Sequence, residues 1–404
     1  LLLLISFAGQ KILDRLNLAA GSHVSLKRMV GALFIVISIL VVTNTLTTVE
    51  APLYNIFDET KVEQYFLQHN GSSNAPSGFV TTPTKALHYQ QAPELVSPDA
   101  YLNTGGKPIT LAQYRGKNVV LVDFWTYSCI NCLRTIPYLT SWYQKYKDQG
   151  LVIIGVHTPE FAFEHVEQNV ADALVRLGIQ YPVVLDNEYG TWNAFGNEYW
   201  PREYLIDIDG YIVHDHAGEG EYDVTEKAIQ GALVERAARL KMPVTVATST
   251  VTITPSDLSG IQSLETYFGS ARNEYLGNGT RGANGTQTFI LPLSPSPNTL
   301  YLEGTWDIEP QYAQSQDRAT IEFAYSARDI NFVASAKIPV TIHILLDAAP
   351  VGSRAGTDVD PRTSTMVIQA DRLYNLVHDP VPGAHVIRIE VEGAGLNAYT
   401  FTFG

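Results

Sequence analysis

The 404-residue sequence predicts three regions in succession: a transmembrane helix, an α/β domain, and a C-terminal all-β sandwich. Three observations carry this reading. No charged residue occurs from Met29 to Val49, β-like runs alternate with helical patterns between residues 85 and 243, and no long helical pattern appears from residue 286 onward. Composition bounds the function. With 45% hydrophobic and 10% aromatic residues the chain is no disordered acidic polymer, and two cysteines cannot build a disulfide framework or a four-cysteine zinc site. A formal charge of −14 argues against nucleic acid as a partner, because phosphate binding needs a cationic face.

The uncharged run of 21 residues, at ~1.5 Å per residue, covers ~30 Å, about one bilayer core. Its apolar centre is Val30–Val42. A cleaved signal peptide fits less well: 28 residues precede the run and no small-x-small cleavage site follows it. The opening Leu1–Phe7 reads as the tail of an earlier membrane helix, so residues 1–49 are expected to end a longer polytopic domain. Lys11, Arg15, Lys27 and Arg28 against Asp14 give this end a net +3, leaving −17 for the rest. The positive-inside rule puts that basic loop in the cytoplasm and everything after about residue 50 outside the cell membrane.

Residues 50–84 read as a linker around a short helix, Asp58–His69, with NGSSNAPSG at 70–78 a flexible spacer. The α/β domain, 85–243, has strand runs at Val119–Phe124, Leu151–Val156, Tyr181–Leu185, Glu203–Ile208 and Tyr211–His214. Helical patterns sit between them at Cys129–Tyr146, Phe161–Leu177 and Thr225–Leu240. IDIDGYIV is a hairpin signal with an Asp-Gly turn. A Thr-rich stretch, 244–257, is expected to link to the sandwich, 258–404, where eight β-like runs separated by turn residues suggest a jelly-roll type.

The chemistry concentrates in Val120–Pro137, VLVDFWTYSCINCLRTIP. An apolar strand runs into Cys129-Ile130-Asn131-Cys132 and then into an amphipathic helix. A cysteine at a helix N-terminus faces unpaired N–H groups and the positive end of the dipole, which favour the thiolate. Cys132 lies one turn on and can reach Cys129, and so small a disulfide loop suits exchange. A zinc site lacks further ligands nearby, and a staple across two residues stabilises little. Asp123, on the strand that feeds the loop, is expected to be desolvated with a raised pKa and to relay a proton to the inner thiol.

This segment resembles the thioredoxin active site: an Asp six residues before the first Cys, a Trp four before it, and Pro137 five after the second. The resemblance implies a cis-proline before a later strand, which Trp200-Pro201 ahead of EYLIDIDG matches in kind and position. It implies Cys129 and Cys132 as the redox disulfide, with no other cofactor and no metal. Asp123 and Pro201 then assist the chemistry, and Trp125, Ile130, Asn131 and Trp200 face the substrate. The long spacing from Cys132 to Pro201, with VIIGVHTPE and an inserted helix, is similar to the membrane-bound TlpA/ResA-like branch. The whole layout resembles the DipZ-type proteins, which join a CcdA-like membrane electron carrier, a thioredoxin-like domain and a carbohydrate-binding-module-like sandwich. That implies a membrane-tethered extracytoplasmic thiol–disulfide oxidoreductase, a reductase in cytochrome c maturation or related disulfide reduction. Its partners are then a CcdA-like donor and a disulfide-containing protein. Ile130-Asn131 replaces the Gly-Pro of thioredoxin, a change that bears on redox poise.

Other constellations compete. Thr126 lies three before Cys129 as in peroxiredoxins, but Val122 stands where their Pro does. His214-x-His216, with Asp215 and Glu219 near, suggests a metal or, more simply, the end of a hairpin. His157 reads as a polar residue of the loop after its strand, and Asp207-x-Asp209-Gly210 as a turn rather than a calcium loop. Tyr301, Trp306, Tyr312 and Tyr325 offer a glycan-stacking platform or, as aromatics in strands commonly do, a core. The segment 265–279 is either a binding edge or the surface that packs on the α/β domain. The rival function is a glycan-binding surface protein with a degenerate α/β spacer.

Overall fold

The structure, a computed structural model, describes residues 82–404 except 244 and 255–257. The expected membrane helix at 29–49 and the helix at 58–69 lie outside the described residues. Among those described, no helix is long and apolar enough to cross a membrane. Residues 80–404 form one compact unit.

A short helix α1 (Thr82–His88) and strand β1 (Ala100–Leu102) lead into the first sheet. Strand β2 (Val119–Trp125) is a run of β-branched and aromatic residues buried at every position, as a central strand covered on both faces must be. Then follow α2 (Ile130–Tyr146), β3 (Leu151–His157), α3 (Glu167–Leu177), β4 (Val183–Leu185), α4 (Gly190–Phe195), β5 (Arg202–Ile206), β6 (Ile212–Ala217) and α5 (Tyr222–Arg239). The sheet order is β1-β4-β3-β2-β5-β6. β2, β3 and β4 run parallel, and β1, β5 and β6 pair antiparallel to their neighbours.

The period-two pleat sorts β2 between two cores. Val119, Leu121 and Trp125 face a cluster with Leu139 and Trp142 of α2 and Ile229 and Leu233 of α5. Val120, Val122 and Phe124 face Trp192 and Phe195 of α4. Asp123 therefore falls on the α2 side. The third predicted strand begins later than expected, at Val183, because Pro182 has no N–H to give the ladder. The long helix expected over 161–177 is instead a 3-10 turn, Ala162–His165, then α3, which ends where Gly178 takes a left-handed φ of 68°.

The stretch 244–257 is no free linker. Glu226 accepts the Val251 N–H at 2.6 Å, Gln230 donates to Ser249 O at 3.2 Å, and Val246, Val251 and Ile253 pack on the α2/α5 core.

The C-terminal region is all-β and antiparallel, with β7 (Thr266–Tyr267), β8 (Gly285–Phe289), β9 (Leu300–Ile308), β10 (Ala313–Ser315), β11 (Ala319–Ala336), β12 (Val340–Leu346), β13 (Ala349–Pro350), β14 (Thr365–Ile368), β15 (Arg372–Val391) and β16 (Leu396–Phe403). Its pairings form one continuous path, β13-β12-β15-β11-β16-β10-β9-β8, rather than two separately bonded sheets. Two long strands cause this. β11 pairs with β15 along its length, with β9 through its first half and with β16 through its second. ATIEFAYSA and INFVASA, two of the eight runs expected from the sequence, are thus one strand. The partner of β11 jumps from Gly383 at Ala327 to His378 at Asp329, so the Pro-rich Asp379–Pro382 segment bulges out of register. That segment read as a turn, which hid the first half of β15.

Trp306, Tyr325 and Tyr301 are buried among the strand side chains, and Tyr312 packs at a tilt against Tyr399. The four make no exposed stacking platform. Two residues of this region, Val333 and Tyr399, belong to the α/β core itself: Tyr399 sets its ring edge-on to Phe161 and Phe163 at 5.0 and 4.8 Å.

Candidate active site

Cys129 is the N-cap of α2. Its Sγ accepts the backbone N–H of Cys132 at 3.2 Å, one of the donors a helix start leaves unpaired. Cys129 is half-buried, Cys132 is 1% exposed, and both thiols are free. Burial pushes the Cys132 thiol well up, and its hydrogen bond to Cys129 and the charges of Cys129 and Asp123 add to this, against a backbone hydrogen bond at Thr126. An outer reachable sulfur with an inner protonated one behind it is the arrangement that attack followed by resolution requires.

The outer thiol opens on a cavity of ≈ 380 Å³. Ile130, Asn131 and Trp200 line it. So do Tyr267 and Arg272 of the all-β region, from the segment that offered a binding edge or a packing surface. Arg272 donates to Glu160 at 2.7 Å, Tyr267 donates to the same carboxylate at 2.9 Å, and the guanidinium lies 3.6 Å over the Tyr267 ring. The 265–279 segment is therefore packing surface and cavity wall together. On the other rim Arg134 grips Glu219 through two bonds of 2.8 Å and donates a third to Asn131 Oδ1.

Trp200-Pro201 is cis. Trp200 Nε1 donates to Thr158 O at 3.1 Å and its ring packs on Trp192. Trp125 corrects the expectation that it faces substrate. It is fully buried, edge-on to His157 at 5.2 Å, because the pleat that places Asp123 inward places Trp125 inward too. It also lies so close to Gly155 that a Cβ there would come within 2.8 Å of Nε1.

His157 is likewise no loop residue. It ends β3, buried and stacked on Tyr127, and burial lowers its pKa to about 3, so it stays neutral. Thr126 donates its hydroxyl to Glu164, which removes the threonine a peroxidatic cysteine would use. Glu164 also accepts from Ser128 Oγ at 2.6 Å and from the Glu160 and Phe161 N–H groups at 2.6 and 2.9 Å. This carboxylate pins the loop before Cys129. The sequence signal for it was slight: a Glu three residues into a helix start.

The histidine pair has other work than a metal. His214 meets Thr225 at 3.1 Å, Asp215 pairs with Arg202, and Glu219 is held by Arg134. Asp207 caps its Asp-Gly turn through the Asp209 and Tyr211 N–H groups. Among the described residues the acidic group that spacing would offer a metal is Asp207, Asp209 and Glu235, and the buried Lys85 ammonium binds all three.

Asp123 is 1% exposed, and neither of its oxygens has a hydrogen-bond partner. Burial raises its pKa well above the ordinary value, and the charge of Glu203 raises it further. Glu203 is Asp123's register partner on β5, a buried carboxyl beside the site that sequence reasoning missed.

Residues 89–233 match the Redoxin family and residues 263–404 the "Thioredoxin like C-terminal domain" family. The chain is 30% identical to the thiol-disulfide oxidoreductase YkuV of Bacillus subtilis over 36% of this chain and 96% of that protein. It is 32% identical to the thiol-disulfide oxidoreductase ResA of Geobacillus thermodenitrificans over 34% and 72%. It belongs to the thioredoxin-like thiol–disulfide oxidoreductases. Within them it is of the DipZ type: it is 40% identical to protein DipZ of Mycobacterium bovis over 78% of its own residues and spans 43% of that protein's length. Family membership, the two thiols and their geometry make it an enzyme of thiol–disulfide exchange.

Proposed function

We propose that this chain is the extracytoplasmic, membrane-tethered arm of a disulfide reductase. Residues 29–49 anchor it, a CcdA-like carrier supplies electrons, and oxidised cysteine pairs of exported proteins, apocytochrome c among them, receive them. The observation that carries the reading is Cys129: a helix-cap sulfur opening on the cavity, with a buried thiol one turn behind it.

Cys129 as thiolate attacks one sulfur of the substrate disulfide, and the other sulfur leaves and takes a proton. Cys132 gives its proton to the Asp123 side and attacks Cys129 Sγ. The mixed disulfide breaks, the second substrate thiol departs, and Cys129–Cys132 forms, so two electrons have passed to the substrate. The membrane donor then returns two electrons to the pair.

Reduction of insulin disulfides by residues 80–404, with glutathione titration of the pair, tests this. Cys129→Ser should abolish exchange and Cys132→Ser should accumulate a mixed disulfide on Cys129. A potential near thioredoxin's, about −270 mV, supports a reductase. One near about −120 mV makes the protein a disulfide donor and overturns the direction.

A further inference from the structure

Behind Cys132 lies a second carboxyl that the exchange mechanism has not used. Asp123 on β2 and Glu203 on β5 stand directly opposite in the antiparallel register, as Leu121 and Leu205 do two residues along. Directly opposed side chains on one face of such a pair sit ~4.5–5.5 Å apart at Cβ. Both leucines belong to the core that holds Cys132, so the pleat sends both carboxyls to that side of the sheet. Asp123 is 1% and Glu203 2% exposed; among the described residues neither Asp123 oxygen has a hydrogen-bond partner, and the Thr225 hydroxyl is a favourable neighbour of Glu203. On its other flank Glu203 faces His216 of β6 in register, and His214, two residues along, meets the Thr225 hydroxyl at 3.1 Å. The other titratable groups that feel the pair are Cys132 of α2, the buried Tyr181 before β4, and Tyr222 of α5.

Two carboxylates this close in a dry site cannot both ionise, so the pair keeps a proton. We propose that Glu203 completes the proton acceptor of Cys132: the two carboxyls share one proton in the resting dithiol, and the pair takes up a second as Cys132 attacks the mixed disulfide. The balance closes over a cycle. Cys132 loses its proton to the pair, its sulfur forms the bond to Cys129, and the bond from Cys129 to the substrate sulfur breaks. When the membrane donor reduces the disulfide, the pair returns that proton to Cys132. Glu203 acts through Asp123 and is a positioning residue. It keeps the first carboxyl basic enough to receive a thiol proton, which an isolated ionised Asp does less well. Burial pushes Glu203 itself up to about 8, against the Thr225 hydroxyl, which lowers it.

This rests on the exchange reading, and the test separates the two. Formation of the mixed disulfide, followed in Cys132→Ser, reports Cys129 alone and should be the same with and without Glu203→Gln. Its complete absence would sink exchange itself. Resolution of a preformed mixed disulfide, followed against pH in single turnover, should slow roughly 10-fold in Glu203→Gln and lose one of two ionisations, since general-base assistance contributes about 10²–10⁴ in rate. An unchanged resolution profile overturns the role of Glu203 while leaving exchange intact. If Glu203→Gln does not fold, carboxyl ¹³C titration of the unmutated reduced protein decides. Shared, two-step titration at both Asp123 and Glu203 supports the pair, and a single ordinary step at Glu203 overturns it.

Discussion

Replacing Glu164 by alanine probes the clamp that holds the loop in front of Cys129. The carboxylate is fully buried and accepts four hydrogen bonds, two from loop hydroxyls, Thr126 and Ser128, and two from the N–H groups of Glu160 and Phe161. Its loss leaves these donors buried and unpaired. The Thr126 hydroxyl can turn to His157 Nε2, 3.3 Å away, but the Ser128 hydroxyl and the two N–H groups have no such neighbour among the described bonds. At about 1–3 kcal/mol for each orphaned buried donor, the cost is roughly 4 kcal/mol. For a domain of this size that lowers Tm by about 10 °C, readable by calorimetry. The pH dependence adds a second signature. Burial lifts Glu164 from 4.5 to about 7, against the hydrogen bonds of Ser128 and Thr126. Below pH 4.5 both folded and unfolded chains hold the proton. Between 4.5 and 7 only the folded chain holds it, so its contribution to stability falls as pH rises, by up to roughly 3 kcal/mol, and levels off above 7. Glu164→Gln should lose that slope. A Tm within 2 °C of wild type for the alanine variant, or an unchanged slope for glutamine, would refute the clamp.

Three further outcomes follow from packing. Gly155→Ala drives a methyl to 2.8 Å from Trp125 Nε1 and 3.1 Å from Val183 Cγ2, and should cost about 1–3 kcal/mol in urea unfolding; a neutral result means the strand can shift. Lys85→Met leaves the buried Asp207 without its cation, and a loss of about 3–5 kcal/mol is expected in the same assay. Tyr399→Ala removes the ring that joins the two halves of the unit, at about 3–5 kcal/mol, and should split one calorimetric transition into two. A single transition at the wild-type temperature would show that the ring does not couple them.

The redox pair was legible because its chemistry is local. Strand β2, the Cys129 cap, Cys132 and helix α2 lie within 28 residues, where apolar periodicity and helix-start chemistry leave their marks. Strand boundaries failed where local marks mislead, as at Pro182 and in the Pro-rich bulge of β15, and the short edge strand Ala100–Leu102 left no mark. Trp125 and His157 were misread because a residue next to an active-site loop faces the core or the cleft according to the pleat, and one position of error inverts the answer.

By itself, then, the sequence determined the CxxC helix start, the alternating α/β order and the β-rich end, while the cis bond at Trp200-Pro201 was implied by the family resemblance. Only the tertiary structure decided what meets across distance: Glu203 opposite Asp123, Glu164 under the Cys129 loop, Lys85 among three acids, and Arg272 closing the cleft on Glu160. Those partners lie tens to more than a hundred positions apart. Periodicity tells which face a side chain takes, whereas strand register and domain docking settle which other face it finds, and both emerge only when the whole core is packed.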